Sequence, residues 1–525
     1  MQITMSNKGQ IHIAGTSPAI RRTVPGVKFS SARGLWYANP CRLVNEAVLA
    51  LPGAEMTPEV RERLAAPPRR PRRPFPAHYR PRTTPYAHQI EGTAHLYGLD
   101  RAAVFSEPGT GKSKMCIDAA AAMYSTGFID RLLVICPVSV RRTWGDQFAT
   151  HCPIPYDLHM IAGDRDPALP TPDRLAVYVV GIESLSAGRA FDRAAHVMLG
   201  ADRAAVVVDE AHMIKTHNAA RTVRAKTLAM GARFRWALTG TPIANNLDDL
   251  YSIFDFLDPN IIGLPKYWDF IDRHALYGGY EGRQIVGWRD VEEVKGAIDP
   301  YIFRALKADC LDLPPKVYSR RVVTMAAPQA RAYKAMRRDG AIGDLLTKGP
   351  LDKALRLHQI AGGWIPDGAG GYKQLGAGKV REVLNVLDEC AGQSVIIWCV
   401  YRHEVAALLA EIPGAVEITG SMTEAAKWES VQAIQTGAAR IMVGTASAGG
   451  TGITVTAASV VIYYSNGFKY TDRVQSEDRA HRPGQTRTVT IYDIIAEGTV
   501  DESIEAALAS KSDLAAWIQA NPGAV

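Results

Sequence analysis

Short, uninterrupted apolar runs recur along most of the chain, each closed by small or polar residues. AAVF (102–105), LLVICP (132–137), LAVYVV (175–180), AAVVVDE (204–210) and FRWALTG (234–240) form one series. SVIIWCV (394–400), ARIMVGTA (439–446), SVVIYYS (459–465) and TVTIYDII (488–495) form a second. Strands that are apolar on both faces and alternate with helices build parallel α/β sheets. The pattern predicts two parallel-sheet lobes, 86–265 and 379–525, with 266–378 read as a helical insertion and connector. Residues 1–66 have a different rhythm. Ile3 and Met5 alternate toward a turn at Asn7-Lys8-Gly9, and Ile11 and Ile13 alternate away from it. Val27 and Phe29 lead to a second turn at Gly34, before Leu35, Trp36 and Tyr37. A period of two predicts β-hairpins. Pro40 then opens a helix with Leu43, Val44, Ala47 and Val48 on its apolar face.

Composition narrows the class. With 47% apolar and 22% charged residues in 525 positions, the chain is neither disordered nor fibrous. No apolar run reaches the roughly 18 residues of a membrane span, and MQITMSNKGQ lacks the features of a signal peptide. An intracellular protein without membrane attachment is expected. The seven cysteines include no C-x-x-C pair, so the sequence reads as reduced, without disulfides or a zinc ribbon.

Charge placement adds a partner. Residues 1–82 hold 14 Lys and Arg against 4 Glu, a charge of +10; the whole chain carries +7, which leaves −3 for the rest. A polyanion is the expected partner of that segment. Within it, 67–85 (PPRRPRRPFPAHYRPRTTP) has seven prolines and six arginines in nineteen residues. Proline at that density blocks helix and sheet, so the segment reads as an extended linker or arm. Its arginines favour nucleic-acid contact over a plain spacer.

Chemistry is concentrated at the strand ends. Ser106-Glu-Pro-Gly-Thr-Gly-Lys-Ser113 follows AAVF and precedes an alanine-rich helix. Pro108, Gly109, Thr110 and Gly111 form a loop whose backbone N–H groups approach phosphate. Lys112 reaches the β/γ-phosphates and the Ser113 hydroxyl ligates Mg²⁺. In VVVDEAH (206–212), Asp209 provides a metal carboxylate and Glu210 one near the attacking water. Thr239 and Thr241, in LTGTP (238–242), can sense the phosphate state. Gln475-Ser-Glu-Asp-Arg-Ala-His-Arg-Pro-Gly-Gln485 spaces Arg479 and Arg482 about one helical turn apart, able to clamp developing phosphoryl charge. Taken alone, R-x-x-R also describes an exposed basic helix.

Taken in order, these motifs resemble the superfamily-two helicase-type ATPases, and specifically the Swi/Snf-like double-stranded DNA translocases. The resemblance runs from about 86 to 505. It includes SEPGTGKS, CPVSVRRTW, DEAHMIK, LTGTPIANNLDDLYSIFDFLDP, FRALKADCLDLPPK, SAGGTGITVTAASVVIYYS and QSEDRAHRPGQTRTVTIYDII. It implies two RecA-like lobes, with ATP and Mg²⁺ as cofactors. It further implies that Gln89 reads adenine, Asp209 binds Mg²⁺ and Glu210 is the catalytic base. His212 and Gln475 would link the lobes, and Arg479 and Arg482 would be arginine fingers. Thr239, Thr241 and the Ser447–Gly452 loop, with Gly449 and Gly450, would couple nucleotide state to DNA grip. Two positions depart from the family pattern: SEPGTGKS replaces the usual D-E-M-G-L-G-K-T, and Thr454 stands where asparagine is common. PGVKFSSARGLWYAN (25–39) resembles the HARP-type module of annealing helicases and fork remodellers.

The resemblance implies an ATP-dependent double-stranded DNA translocase that remodels branched DNA, monomeric and nucleoid-associated in the cytoplasm of a bacterial or phage-infected cell. Two other readings remain at this stage. One gives the same motor protein targets on DNA; the other is a non-enzymatic DNA-structure-binding protein with a relic ATPase fold. All five residues with catalytic chemistry are present, which weighs against the relic.

Overall fold

The continuous apolar runs form the central strands of two parallel sheets in the computed structural model of the chain. The structure describes all residues except 6–9, 15–19, 21–22, 25–26, 32, 39–41, 66–71, 163–165, 187, 241–246, 279–281, 343–344, 348, 447–452 and 511–525. It divides into two units, Met1–Cys310 and Leu311–Val525.

The first unit begins with β1 (Gln2–Met5), β2 (Ile11–Ala14), β3 (Lys28–Ser30) and β4 (Leu35–Ala38), an antiparallel sheet in the order β1-β2-β4-β3. The alternation seats Ile3, Ile11 and Ile13 against Val48 and Leu64 of the helices Arg42–Leu49 and Pro58–Ala65. The expected turn at Asn7–Gly9 and the helix-opening Pro40 lie outside the described residues.

The main sheet of this unit comprises β5 (Arg101–Ser106), β6 (Arg131–Cys136), β7 (Tyr156–Ile161), β8 (Leu175–Gly181), β9 (Ala204–Val208) and β10 (Phe234–Thr239). A two-stranded hairpin, β11 (Ala275–Gly278) with β12 (Gln284–Trp288), precedes the last strand, β13 (Ile302–Ala305). The order is β13-β5-β10-β9-β6-β8-β7, with every pairing parallel. Val206 and Val208 enter the core on one face, Ala205 and Val207 the core on the other. That two-sided burial is why β9 reads as an unbroken apolar run.

The second unit holds β14 (Lys316–Val323), two small hairpins, β15 (Ala341–Ile342) with β16 (Leu345–Leu346) and β17 (Trp364–Pro366) with β18 (Tyr372–Gln374), then β19 (Ser394–Cys399), β20 (Val416–Ile418), β21 (Ile441–Thr445), β22 (Ala458–Tyr463) and β23 (Val489–Ala496). Its parallel sheet has the order β14-β23-β22-β19-β21-β20. Residues 266–378 therefore contribute a strand to each parallel sheet, β13 and β14, besides their helices.

Residues 72–85 form neither helix nor strand, as their prolines require, turn once at Ala77–His78, and lie against the first unit as a strap. Arg73 stacks over Phe234, Phe128 and Tyr97, with its guanidinium carbon 4.8, 5.2 and 5.9 Å from the ring centres. It also pairs with Asp100. Tyr79 Oη donates to Asp118 Oδ1 at 2.7 Å. Lys114 Nζ bonds the other Asp118 oxygen at 2.8 Å and the Thr83 carbonyl at 3.1 Å. Arg72 and Arg82 donate to the carbonyls of Pro300 and Cys152. Three arginines that suggested a nucleic-acid arm are thus engaged in holding the strap. Among the described residues no helix is long and apolar enough to cross a membrane.

Candidate nucleotide site

β5 ends at Ser106, and the chain turns through 107–111 into the helix Lys112–Ser125. Gly109 and Gly111 take left-handed conformations, with φ of 88° and 89°, which side-chain-bearing residues rarely adopt. A Cβ at Gly111 would also collide with the Gln89 amide. That close approach lets Gln89 Nε2 donate to the Thr110 carbonyl at 3.1 Å while its Oε1 accepts from Tyr86 N at 3.1 Å. His88 Nε2 lies 2.8 Å from the same Thr110 oxygen. Thr110 Oγ1 donates to the Glu107 carbonyl at 2.8 Å. Lys112 Nζ donates to the carbonyls of Ser106 at 2.8 Å and Glu107 at 3.4 Å. Ser113 sits half-buried in the first helical turn.

The second cluster follows β9. Asp209 N continues the ladder to the Ile135 carbonyl at 2.8 Å. The Asp209 carboxylate accepts from Trp144 Nε1 at Oδ2 and from Glu210 N at Oδ1, both at 2.9 Å. Glu210 has φ 52° and ψ 54°, a left-handed conformation costing roughly 1–2 kcal/mol in a residue with a Cβ. Such strain gathers at functional positions. His212 Nδ1 stands 3.2 Å from Glu210 Oε2, off line for a strong hydrogen bond but near enough to act electrostatically. Gly240, just beyond β10, brings the Thr239 strand end against the loop: a Cβ there would lie 2.8 Å from Pro108 Cγ and 3.3 Å from Lys112 Nζ. Thr239 itself is fully buried.

The two carboxyls respond in opposite directions. Burial, then the Glu210 charge, push Asp209 up to about 6, against the pull of Lys112 and the Trp144 N–H. Burial also raises Glu210, but His212, the Lys112 ammonium and the Gly240 N–H outweigh it and hold the carboxyl below its ordinary value. Of the two neighbouring acids, Asp209 is thus held to its negative charge less firmly than Glu210. A phosphate-facing loop, an ammonium, a hydroxyl and a carboxylate are the oxygen-rich, mixed-charge set that suits a nucleotide with a hard divalent cation.

In the second unit the helix Tyr470–Glu477 carries Gln475 and ends before the two arginines. Arg479 Nε donates to the Gln475 carbonyl and Nη1 to the Ile453 carbonyl, each at 3.0 Å. Arg482 Nη1 reaches the same Ile453 oxygen at 3.2 Å and also bonds Thr454 Oγ1. The guanidiniums converge on one carbonyl. This is a packed corner, not an exposed basic helix; burial pushes the Arg482 guanidinium down, opposed by Asp478.

Gln89, Pro108 to Ser113, Asp209, Glu210, His212 and Thr239 therefore gather in the first unit, and Gln475, Arg479 and Arg482 in the second. Thr241, Ser447, Gly449, Gly450 and Gly452 lie outside the described residues. Sequence reasoning did not single out Trp144, Gly240 or His88. CPVSVRRTW and LTGTP contain two of them, but nothing local indicates that Trp144 reaches a carboxylate 65 residues away.

Residues 88–360 match the family model for the SNF2-related domain, and 378–484 that for the helicase conserved C-terminal domain. The uncharacterised ATP-dependent helicase MG018 of Mycoplasma genitalium is 29% identical over 57% of this chain and 29% of its own. The human DNA annealing helicase and endonuclease ZRANB3 is 26% identical over 76% of this chain and 37% of its own. A Sulfolobus solfataricus SWI2/SNF2 ATPase core solved in complex with dsDNA aligns with 83% of this chain and 93% of its own, at 23% identity and a TM-score of 0.41. Matched regions span from 20% to 59% of the length of such curated relatives. With a glycine-bearing strand-to-helix loop and paired acids in place, and more than half of its length covered by the SNF2-related model, the chain belongs to the SNF2-related family of helicase-type, ATP-dependent enzymes.

Proposed function

We propose that the chain is an ATP-dependent double-stranded DNA translocase that remodels branched DNA by annealing, branch migration or fork reversal. The observation that carries this reading is the basic antiparallel module at the N-terminus, joined through the strap to the helix that starts at Lys112. A nucleotide-driven lobe alone would serve any member of the family; the basic module gives this one a DNA-structure reader. The name of ZRANB3, an annealing helicase, points the same way.

In this reading Gln89 reads adenine, the Pro108–Ser113 loop with Lys112 holds the phosphates, and Ser113 with Asp209 holds Mg²⁺. Glu210 orients and activates water, with His212 at its side. Arg479 and Arg482 stabilise charge on the transferring phosphoryl group, and Gln475 joins them at the nucleotide. Thr239, Thr241 and the loop with Ser447, Gly449, Gly450 and Gly452 carry the nucleotide state to the DNA backbone. The test is ATP hydrolysis by the purified chain with duplex, single strand, fork and four-way junction, alongside conversion of a labelled fork to its regressed form. Hydrolysis stimulated by duplex and most by branched DNA, with fork conversion, is expected. Duplex stimulation without any preference or conversion would leave a motor and remove the branched-DNA role.

A further inference from the structure

Trp144 is 2% exposed and sits on the helix Arg141–His151, in the core beneath the sheet with Phe148 and Val207. Its indole N–H is used at the nucleotide site, as the 2.9 Å donor to Asp209 Oδ2. The same protein shows that such a bond is not required for burying the ring. Trp236, in the same core, and Trp398, in the second unit, are fully buried, and neither indole nitrogen has a hydrogen-bond partner. The core therefore accepts an indole whose N–H is unused, and the Trp144 contact calls for an explanation beyond packing.

The geometry of the carboxylate supplies one. Asp209 Oδ1 accepts from Glu210 N and Oδ2 from Trp144 Nε1. One donor on each oxygen fixes the carboxylate plane and leaves one lone pair on each oxygen free. The Glu210 donor belongs to a strained, adjacent backbone unit, so the remote and rigid constraint comes from Trp144. We propose that Trp144 is a positioning residue: its indole N–H orients the Asp209 carboxylate so that an unused lone pair faces the cation carried by the nucleotide phosphates. The inference rests on the reading of Asp209 as the metal carboxylate. Groups that orient metal ligands in this way change metal affinity by about 10- to 100-fold when removed.

Trp144→Phe keeps an aromatic ring in the core and deletes the donor. Affinity of the full chain is measured for ATP with excess Mg²⁺ and for ATP in EDTA, with a Trp236→Phe variant as the packing control. The expected result is a roughly tenfold or greater loss of the Mg²⁺-dependent gain in affinity for Trp144→Phe, with metal-free ATP binding within about twofold of the wild type. The Mg²⁺ concentration for half-maximal hydrolysis should rise in parallel, while Trp236→Phe changes neither. If Trp144→Phe does not fold, benzothienylalanine at 144 keeps the bicyclic shape without the N–H and takes its place. An unchanged Mg²⁺ gain in the folded variant overturns the proposal. Asp209→Asn separates the two levels: if it too keeps the full gain, the metal reading of Asp209 fails; if it loses the gain while Trp144→Phe keeps it, only the role of Trp144 fails.

Discussion

Two sets of charged groups, one in each unit, serve opposite ends. In the first, Lys112 leans on the backbone carbonyls of Ser106 and Glu107, and two acids stand side by side at Asp209 and Glu210. In the second, one group of buried charges, around Arg473, Lys316 and Lys379, is matched pairwise. Arg473 bonds Glu477 and Asp493 and lies 3.7 Å from the centre of the Tyr463 ring. Lys316 bonds Glu477 at 2.8 Å, and Lys379 bonds Asp501 at 2.6 Å. Backbone carbonyls and a strained turn hold the first set at a loop mouth, where an outside partner can complete it. The second set is complete in itself. A complete buried pair adds little net stability, but a broken one is costly, so these pairs act as registry pins. Arg473 and Glu477 pin the helix that leads into Arg479 and Arg482 to β23 and β14.

If that contrast is right, mutations in the two sets fail differently. The largest effect is expected in turnover. Glu210→Gln, Arg479→Ala and Arg482→Ala should each cost on the order of 10³-fold in ATP hydrolysis, about 4 kcal/mol of transition-state stabilisation. Glu210→Gln should still bind ATP, and its unfolding midpoint should move little. Steady-state hydrolysis beside nucleotide titration reads both. Substantial turnover by Glu210→Gln would remove it as the base; lost ATP binding with a normal rate per bound ATP would make the arginines ground-state ligands.

Stability should respond next. Arg473→Met strands the half-buried Asp493 carboxylate, leaves Glu477 to Lys316 and Tyr318, and should cost the second unit about 3 kcal/mol. Lys112→Met removes the ammonium that pulls on Asp209 and Glu210, but these acids are only half-buried, so the loss should be smaller, about 1 kcal/mol, while nucleotide binding is abolished. Denaturant unfolding of both variants checks this. A similar loss for both would erase the distinction between charges kept for a ligand and charges kept for the fold.

Glu404 sharpens the contrast through pH. Burial pushes its carboxyl up to about 7, against hydrogen bonds from Ser465, Tyr401 N and Val400 N and the charge of Lys379. The folded value lies above the unfolded one. The stabilising contribution of the protonated acid is therefore complete below about 4.5 and is lost as pH rises through about 7. The buried His358 works oppositely: burial lowers it to about 4, so its contribution is lost as pH falls from about 6.5 toward 4. Glu404→Gln isolates the first effect. It should match the wild type near pH 4.5 and exceed it by roughly 3 kcal/mol at pH 8. A constant difference between the two across that range would reject the assignment.

Legibility followed burial and locality. The nine parallel-sheet strands read from sequence are apolar runs in the sheet interiors, and the four of the N-terminal module were read from alternation. β14 (KVYSRRVV) was not read, because an edge strand needs only one partner and spends its polar residues outward, Arg320 on Glu502 and Glu505, Arg321 on Glu389. β7 and β13, also not read, are the two edges of the first unit's sheet. The site divides the same way. The phosphate loop and the D-E pair are local patterns whose chemistry lies in consecutive residues. Trp144 and Gly240 matter only through contacts formed when separate strand ends come together. The packing of the strap was hidden for the same reason: proline and arginine content predicts an extended arm, whereas the cage around Arg73 is built from residues 97, 128 and 234.

The strap also decides where the smallest effect should be sought. Of the +10 carried by residues 1–82, the Lys, Arg and Glu of 1–65 account for +4. Arg72, Arg73 and Arg82 are tied to the first unit. A deletion through residue 82 would strip Arg73 from its aromatic cage and Tyr79 from Asp118, so any lost DNA affinity would be mixed with a damaged lobe. Ending the deletion at 65 removes the antiparallel module and its eight Lys and Arg while keeping the described strap. Each phosphate no longer neutralised flattens the log–log salt dependence of binding by about 0.9. A module that contacts two or three phosphates should therefore flatten the slope by about 2 to 3, with a loss of about 1 kcal/mol in affinity at physiological salt. Duplex-stimulated hydrolysis at low salt should persist, and preference for forks and junctions should fall furthest. Fork and duplex affinities measured at several salt concentrations, with and without residues 1–65, carry the test. An unchanged slope with an unchanged fork preference would make the module a charged accessory to folding, like the strap, and would leave the branched-DNA proposal without its principal support.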